Sequence, residues 1–376
     1  MKVLHVLNEI RYSGAEIMLN TAAPYFLKDE LELHVVGVGE EIGEYAAVLE
    51  KNGYKVHFIE FQRPGLKSTV KDSLQLLKNF YYFLKNGKYD IVHIHRESAF
   101  SLFAIVARMA GVPGVFRTVH NVFLVFQGNL RLRKKIERHF VKNFFKVKFL
   151  TIGASVSEVE KEVYGLETTV IPNWTENKAF TPGTAEEKLK KRKSLGIKEN
   201  SLVIISVGRT TIEKNHTDII ESIPEIIKEV PNLFYIHVGD GPEQEKLIMR
   251  TKDLNIENYV SFLGKRNDVR ELVVASDIFV MPSKYEGLPI SLLEALFCGL
   301  PSIIYNNYGV KDLVINDFNG FVVEEPRENF KNAIIKLSKD ESLQKKMGEN
   351  AISLANEQFD IEKSISKLIS VYRDAL

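Results

Sequence analysis

Two kinds of segment alternate along this chain almost without exception. Short runs rich in apolar and β-branched residues are each followed by a longer stretch with helical spacing. That alternation leaves few architectures open, because parallel strands need a crossover and the crossover is usually a helix. In the first half the strand candidates are residues 3–7, 33–38, 55–59, 91–95, 115–119 and 149–152, separated by helical patterns at 15–27, 74–84, 99–110 and 130–145. Near Pro172 the texture changes: residues 172–185 (PNWTENKAFTPGTA) hold two prolines, a glycine and many polar groups, and read as a linker. A second βα series follows, with strands expected at 202–207, 233–238, 260–263, 278–281 and 302–305. With 376 residues there is room for two cores of ordinary size. The expectation is two doubly wound, Rossmann-like parallel-sheet domains facing across a cleft, residues 1–172 and 173–358. The last segment, 359–376, carries Ile361, Ile365, Leu368, Ile369 and Tyr372 on one helical face; it either closes the second domain or packs back on the first.

The most telling local segment is 281–301, MPSKYEGLPISLLEALFCGLP. An apolar strand-like run, DIFVM, precedes it. Gly287 can adopt backbone angles closed to other residues, and Pro289 suits the first turn of a helix. The helix then runs through Phe297 and is stopped by Gly299 and Pro301. Glu286 therefore sits in the loop at a strand's C-terminal end, where open α/β sheets bind ligands. Glu294 lies among Leu292, Leu293, Ala295 and Leu296, so its charge needs a partner. Free helix N–H groups near residues 288–290 favour an anion. Two hydroxyl-accepting carboxylates beside an anion site suit a sugar nucleotide; a surface turn with a salt-bridged glutamate is the alternative from this segment alone.

Composition narrows the class further. An apolar fraction of 45% and a charged fraction of 26% are those of a globular protein. The single cysteine, Cys298, excludes an internal disulfide and reads as a small core residue. The apolar run before Asn8 and Glu9 is too short for a signal peptide, and no run approaches the roughly 18 residues a membrane span needs. A cytoplasmic protein is expected, soluble or peripheral on the inner face of the membrane. No Asp-x-Asp pair and no His/Cys set with ligand spacing appears, so neither metal nor other cofactor is expected.

Taken together, the halves make the chain resemble a GT-B glycosyltransferase, more narrowly glycosyltransferase family 4, the retaining nucleotide-sugar enzymes. The resemblance covers the full length. It rests on Glu286-Gly287, Glu294-Ala295 and Cys298-Gly299-Leu300-Pro301, with VGRTTIEKNH at 207–216, HVGDGPE at 237–243 and FLGKRNDV at 262–269 in the expected order. It implies that Arg209 and Lys214 hold the donor diphosphate, whose charge grows as the glycosidic bond breaks. It implies that Glu286 faces the donor sugar hydroxyls, that Glu294 accepts from the ribose diol, and that backbone amides at Gly287 and Leu288 meet the phosphates. It implies that Lys265, with Arg266, lines the base region, the alternative being plain surface charges, and Asp240 fits an ordinary turn. In the first half, the resemblance implies that Gly14 lets the diphosphate approach a helix start, although Ser13 stands where the family usually has a second glycine; the alternative is that Gly14 serves only the turn. The resemblance implies that His120, at the end of a strand, lies near the transferred sugar; a lone histidine at a strand end otherwise reads as structural. His93 and His95 read as core or supporting residues. Two other departures are Asn173-Trp174 in place of Asn-Gly, and residues 308–312 (YGVKD) in place of a glycine-richer motif ending in Glu.

The resulting expectation is transfer of a sugar from a nucleotide sugar, a UDP-sugar, to a glycan or lipid-linked acceptor with retention of configuration. The pathway class is bacterial exopolysaccharide, capsule or other surface polysaccharide synthesis. Glu286 either orients the sugar or takes part in the chemistry; a front-face route, with a donor phosphate oxygen receiving the acceptor proton, needs no protein nucleophile. The rivals are a catalytically silent GT-B binding protein, and a GT-B enzyme that uses the nucleotide sugar otherwise, as an epimerase or free-sugar transferase.

One segment lies outside these motifs. Residues 130–148 hold eight basic residues and one acid, a net +7 that leaves −6 for the rest of a chain of total charge +1. Leu132, Ile136, Phe140 and Phe144 recur every four residues, beside a basic stripe of Arg131, Lys135, Arg138 and Lys142, and the run 122–126 (VFLVF) precedes them. Such a helix either docks on an anionic membrane surface or packs its apolar stripe on the sheet. Nucleic acid is not expected, since the charge forms one patch without an accompanying motif.

Overall fold

A computed structural model describes residues 1–60, 70–124 and 126–376; Val125, within the apolar run 122–126, lies outside the described residues. The chain divides into two units, Met1–Asn173 with Ile361–Leu376, and Trp174–Asp360. The first unit is a seven-stranded sheet of β1 (Lys2–Leu7), β2 (Glu32–Gly39), β3 (Lys55–Glu60), β4 (Ile91–Ile94), β5 (Gly114–Val119), β6 (Lys148–Thr151) and β7 (Thr169–Val170). Its spatial order is β3-β2-β1-β4-β5-β6-β7, and every pairing is parallel. The second unit has six strands, β8 (Leu202–Val207), β9 (Leu233–Val238), β10 (Val260–Phe262), β11 (Ile278–Met281), β12 (Ser302–Tyr305) and β13 (Gly320–Val323), ordered β10-β9-β8-β11-β12-β13 and again all parallel.

Central strands such as β11 (IFVM) and β12 (SIIY) are buried along their whole length, as expected where helices cover both faces. In the second unit the helix His216–Glu229 turns Ile219, Ile220, Ile223 and Ile226 into a core with Ile204 of β8 and Tyr235 of β9. The strands that sequence patterning misses are the edges. β7 is two residues long and β13 opens on a glycine, so neither offers the apolar run that marks a central strand.

The terminal helix, Ile361–Arg373, belongs to the first unit. Ile361, Ile365, Leu368, Ile369 and Tyr372 are all buried, and the Tyr372 hydroxyl lies 2.5 Å from His93 Nδ1. Arg373 pairs with Asp29 at the end of the helix Gly14–Lys28.

In both sheets the strand order reverses at one place, between β1 and β4 and between β8 and β11. Loops leaving the C-terminal ends of such strand pairs diverge to opposite faces and leave a crevice for ligand.

Candidate active site

The switch point of the second unit gathers most of the residues singled out above. The loop after β8 carries Arg209, which is exposed, and then a single 3-10 turn, Ile212–Lys214. Asn215 takes a left-handed conformation (φ 53°) and starts the helix His216–Glu229, which leaves Lys214 at the rim of the loop. The loop after β11 brings Glu286, only 9% exposed, to Lys214: Nζ donates to Oε1 at 2.5 Å. The backbone ties the same loops together, Lys284 N–H donating to the Glu213 carbonyl at 2.8 Å. Ser291 Oγ donates to the Val207 carbonyl at 2.8 Å, which seats the start of the next helix on the end of β8. A cation and a carboxylate are thus fixed side by side at the strand ends.

That next helix runs Ile290–Phe297, with extended Pro289 as its N-cap and Gly299 (φ 79°) just past its end. Leu288 and Gly287 are buried in the turn before it. Gly287 does not use a positive φ; the glycine that the turn requires is Gly309. Gly309 has φ 85°, and a Cβ there would come within 2.4 Å of the Glu286 carbonyl oxygen. Tyr308 in turn accepts the Glu286 N–H at 3.1 Å. The 308–312 segment therefore braces Glu286 directly. Sequence reasoning placed that segment only as a departure from a motif, because the close approach joins residues more than twenty positions apart.

Glu294 sits one turn into the apolar helix and hydrogen-bonds Thr175 Oγ1 at 3.2 Å. Among the described residues this hydroxyl is the partner that the setting of Glu294 demanded, and no cation pairs with Glu294. Burial instead pushes its carboxyl up to about 8, with the Thr175 hydroxyl pulling partly the other way. Cys298, buried at the end of this helix, has its thiol pushed up to about 12 by burial, as befits a core residue rather than a nucleophile.

The loop after β9 is stitched to the loop after β8. Gly208 N–H donates to the Val238 carbonyl at 2.9 Å and Thr210 N–H to the Asp240 carbonyl at 3.0 Å. Gly239 is needed for this: a Cβ there would meet the Gly208 carbonyl oxygen at 1.9 Å. Lys265 is exposed and lies 3.5 Å from the Asp240 carboxylate, while Arg266 forks onto Asp268 with two contacts of 2.7 Å.

In the first unit, Ser13 caps the helix Gly14–Lys28 by position, but its hydroxyl goes to the Glu16 carboxylate. Gly14 is exposed at the first helical position after the β1 loop. His120 follows β5 directly and is half-buried. Its Nε2 lies 2.8 Å from His95 Nδ1, and His95 Nε2 lies 3.0 Å from His5 Nδ1. The strand order explains the convergence, since β1, β4 and β5 are neighbours and His5 pairs in register with His93. His5, His93 and His95 come close enough that one ligand nitrogen from each lies within 4.8 Å of the others. Spacing along the chain could not reveal that cluster, because His5 comes from a strand some ninety residues earlier.

The basic helix, Gly128–Phe145, differs from expectation in one respect. Arg138 is no part of an exposed stripe: it is 1% exposed, with Nε on Glu160 at 2.9 Å and an N–H group 3.5 Å from Glu97. Arg117, also buried, pairs with Glu97 at 2.8 Å, and Lys134 lies 3.2 Å from the same carboxylate. Charges on the inward face of this helix are thereby consumed in an internal network. The apolar stripe faces the other way. Leu132, Ile136, Phe140 and Phe144 are exposed by 57, 60, 44 and 75%, so the stripe does not pack on the sheet. Arg133, Lys135, Lys146 and Lys148 are exposed as well. Among the described residues no helix is long and apolar enough to cross a membrane.

Two doubly wound parallel sheets, the second with cations and carboxylates at its switch point, are the architecture of a GT-B glycosyltransferase. The HepE protein of Anabaena, solved with UDP, has the same fold, with a TM-score of 0.84 at 22% identity over 100% of both chains. WaaG, a glycosyltransferase involved in lipopolysaccharide biosynthesis, follows at 0.74 and 18% over 98% of this chain and 99% of that one. Residues 12–176 match the family described as Glycosyltransferase Family 4, and residues 187–354 match Glycosyl transferases group 1. The Escherichia coli UDP-Gal:alpha-D-GlcNAc-diphosphoundecaprenol alpha-1,3-galactosyltransferase is 34% identical over 82% of this chain and 81% of its own length. A Campylobacter jejuni N,N'-diacetylbacillosaminyl-diphospho-undecaprenol alpha-1,3-N-acetylgalactosaminyltransferase is 28% identical over 86% and 87%. The chain belongs to this family of GT-B glycosyltransferases and is an enzyme of that class.

Proposed function

We propose that the enzyme transfers a sugar from a UDP-sugar, with retention of configuration, to a sugar diphosphate carried on a polyprenol, as a step in assembling a bacterial surface polysaccharide. The supporting observation is the Lys214–Glu286 pair at the β8/β11 switch point, in a chain two of whose bacterial relatives are named for diphosphoundecaprenol acceptors. In this reading Arg209 and Lys214 neutralise the leaving diphosphate, with the amides of Gly287 and Leu288 around it. Removing one such preorganised charge typically costs about 10²–10³ in rate. Lys265 lies toward the base, Glu294 takes the ribose diol, and His120 serves the transferred sugar. Glu286 orients the donor sugar: a carboxylate already engaged by an ammonium is a poor nucleophile, which favours the front-face route. No metal is assigned a role, because Arg209 and Lys214 supply the positive charge.

The exposed stripe of the 128–145 helix fits the same reading. A polyprenol-linked acceptor stays in the membrane, so its enzyme must work at the bilayer surface. Four exposed large apolar side chains flanked by lysine and arginine suit an anionic lipid surface.

The decisive experiment incubates the protein with a panel of UDP-sugars and a synthetic diphosphopolyprenyl sugar, and reads the product anomer by NMR. A product with the donor's anomeric configuration is expected. An inverted product would refute retention, and transfer only to a water-soluble acceptor would refute the lipid-linked assignment.

A further inference from the structure

His120 terminates a blind chain of imidazoles. His120 Nε2 meets His95 Nδ1 at 2.8 Å, and His95 Nε2 meets His5 Nδ1 at 3.0 Å. Beyond that lies His5 Nε2, buried and without a hydrogen-bond partner. The rings of Phe26 and Tyr54 pack on His5, and the Tyr54 hydroxyl is already committed to the Leu19 carbonyl. His93 lies over His95 with ring centroids 4.2 Å apart, but its own nitrogens go to Tyr372 and Thr118. It braces the chain without extending it.

All the rings in this cluster are uncharged near neutral pH. Burial pushes His5 and His120 down to about 3, and His93 and His95 are likewise driven well below the usual range. Neighbouring Arg117, itself held on Glu97, acts in the same direction on His93, His95 and His120. An uncharged imidazole has one N–H and one acceptor nitrogen, so two consecutive bonds allow only two proton arrangements. In one, every N–H points inward and His5 Nε2 becomes a buried N–H with no acceptor. In the other, every N–H points outward and His5 Nε2 is a bare lone pair. An orphaned buried N–H is the rarer defect, so the outward arrangement is favoured.

We propose that His95 and His5 are positioning residues: their hydrogen-bond chain fixes His120 as the tautomer protonated on Nδ1, so that its ring acts toward the transferred sugar as a hydrogen-bond donor. This rests on the assignment of His120 to the sugar. Nδ1 of His120 has no hydrogen-bond partner among the described residues, which leaves it available. Because the chain ends at His5 without an exit, it holds a proton in place and cannot conduct one away. A donor of this kind suits a hydroxyl or ring oxygen that gains negative character, and it excludes His120 as a general base acting through Nδ1. The strand register already described makes the arrangement rigid, with His95 N–H also bonded to the Val6 carbonyl at 2.9 Å.

The test begins on unsubstituted protein, with ¹⁵N-labelled histidine and two-bond ¹⁵N–¹H correlation spectra, the His120 signals being assigned by a His120→Gln control. His120 is expected as the Nδ1–H tautomer, without titration between about pH 5.5 and 8. An Nε2–H tautomer, or titration near 6.5, overturns the proposal. The functional arm compares His95→Asn, whose amide nitrogen can still donate from the Nδ1 position, with His95→Leu, which cannot. The asparagine form is expected to keep kcat within a few-fold, while the leucine form loses about 10–100-fold in kcat at little-changed KM. Equal losses in both variants would make His95 merely structural. Stoichiometric zinc in the purified protein, with the His5–His95 bond replaced by coordination, would also overturn the proposal. His120→Ala separates the two readings: unchanged turnover refutes the sugar assignment, whereas lost turnover with the wrong tautomer refutes only the positioning chain.

Discussion

The two units share strand order but arm their switch points differently. In the second unit the crevice loops hold full charges, Arg209, Lys214 and Glu286, with Glu294 one turn into the helix behind them. In the first unit the neighbouring strands β1, β4 and β5 bring together His5, His95 and His120, imidazoles held well below their usual range, of which only His120 is half-exposed. Its loops carry charges too, the Glu9–Arg11 pair after β1 and Arg96 after His95, and a further network lies under the 128–145 helix. The contrast shows that the doubly wound scaffold supplies only a place. What binds there depends on whether the residues at the strand ends present charges to the crevice or a hydrogen-bonded chain of imidazoles. A half-solvated cation suits an anion that comes and goes. An imidazole anchored through one nitrogen suits one hydrogen bond of fixed direction.

The sharpest break of this contrast concerns two arginines. Arg138→Ala leaves Glu160 buried without its partner and should destabilise the first unit by about 3–5 kcal/mol, read by denaturant unfolding. A loss under 1 kcal/mol would mean that the internal network is solvated. Arg209→Ala should do the reverse, lowering kcat by about 10²–10³ with the melting temperature unchanged. Near wild-type turnover would remove Arg209 from the diphosphate site.

A smaller effect tests Glu294. Its free carboxyl is raised to about 8, and hydroxyl donors from a ribose favour the carboxylate and so lower that value in the complex. Binding should therefore release a proton. UDP-sugar affinity should climb as pH rises toward 8 and level off above it, measured by calorimetry in buffers of different ionisation enthalpy. Affinity that is flat or falls with pH would exclude a ribose contact. For stability the sign is opposite. In the folded chain without ligand this carboxyl keeps its proton to higher pH than in the unfolded chain, so stability falls between about 4.5 and 8. Glu294→Gln should remove that slope while weakening donor binding.

The mildest effect belongs to the helix surface. Reversing Arg133 and Lys135 to glutamate should reduce sedimentation with anionic vesicles by about 1 kcal/mol per charge and leave the fold intact. Phe144→Ser should weaken the same binding even at high salt. Vesicle binding indifferent to all three would send the stripe to another partner.

Much of this was legible in the sequence. Hydrophobic periodicity is local, so the central strands and the order of βα units could be read from short windows. The rule that ligands sit beyond strand C-termini then carried Arg209, Lys214 and Glu286 to one crevice without coordinates. Other features needed the tertiary structure. The helix Ile361–Arg373 reads equally well as closing either unit; packing placed it on the first, with Tyr372 against His93. Arg138 looks like its basic neighbours until the sheet and Glu160 bury it. Gly309 against Glu286, and His5 behind His95, are contacts between segments far apart in the chain. Such contacts depend on register and on which face of an element turns inward, and the residue pattern of a single segment does not contain either.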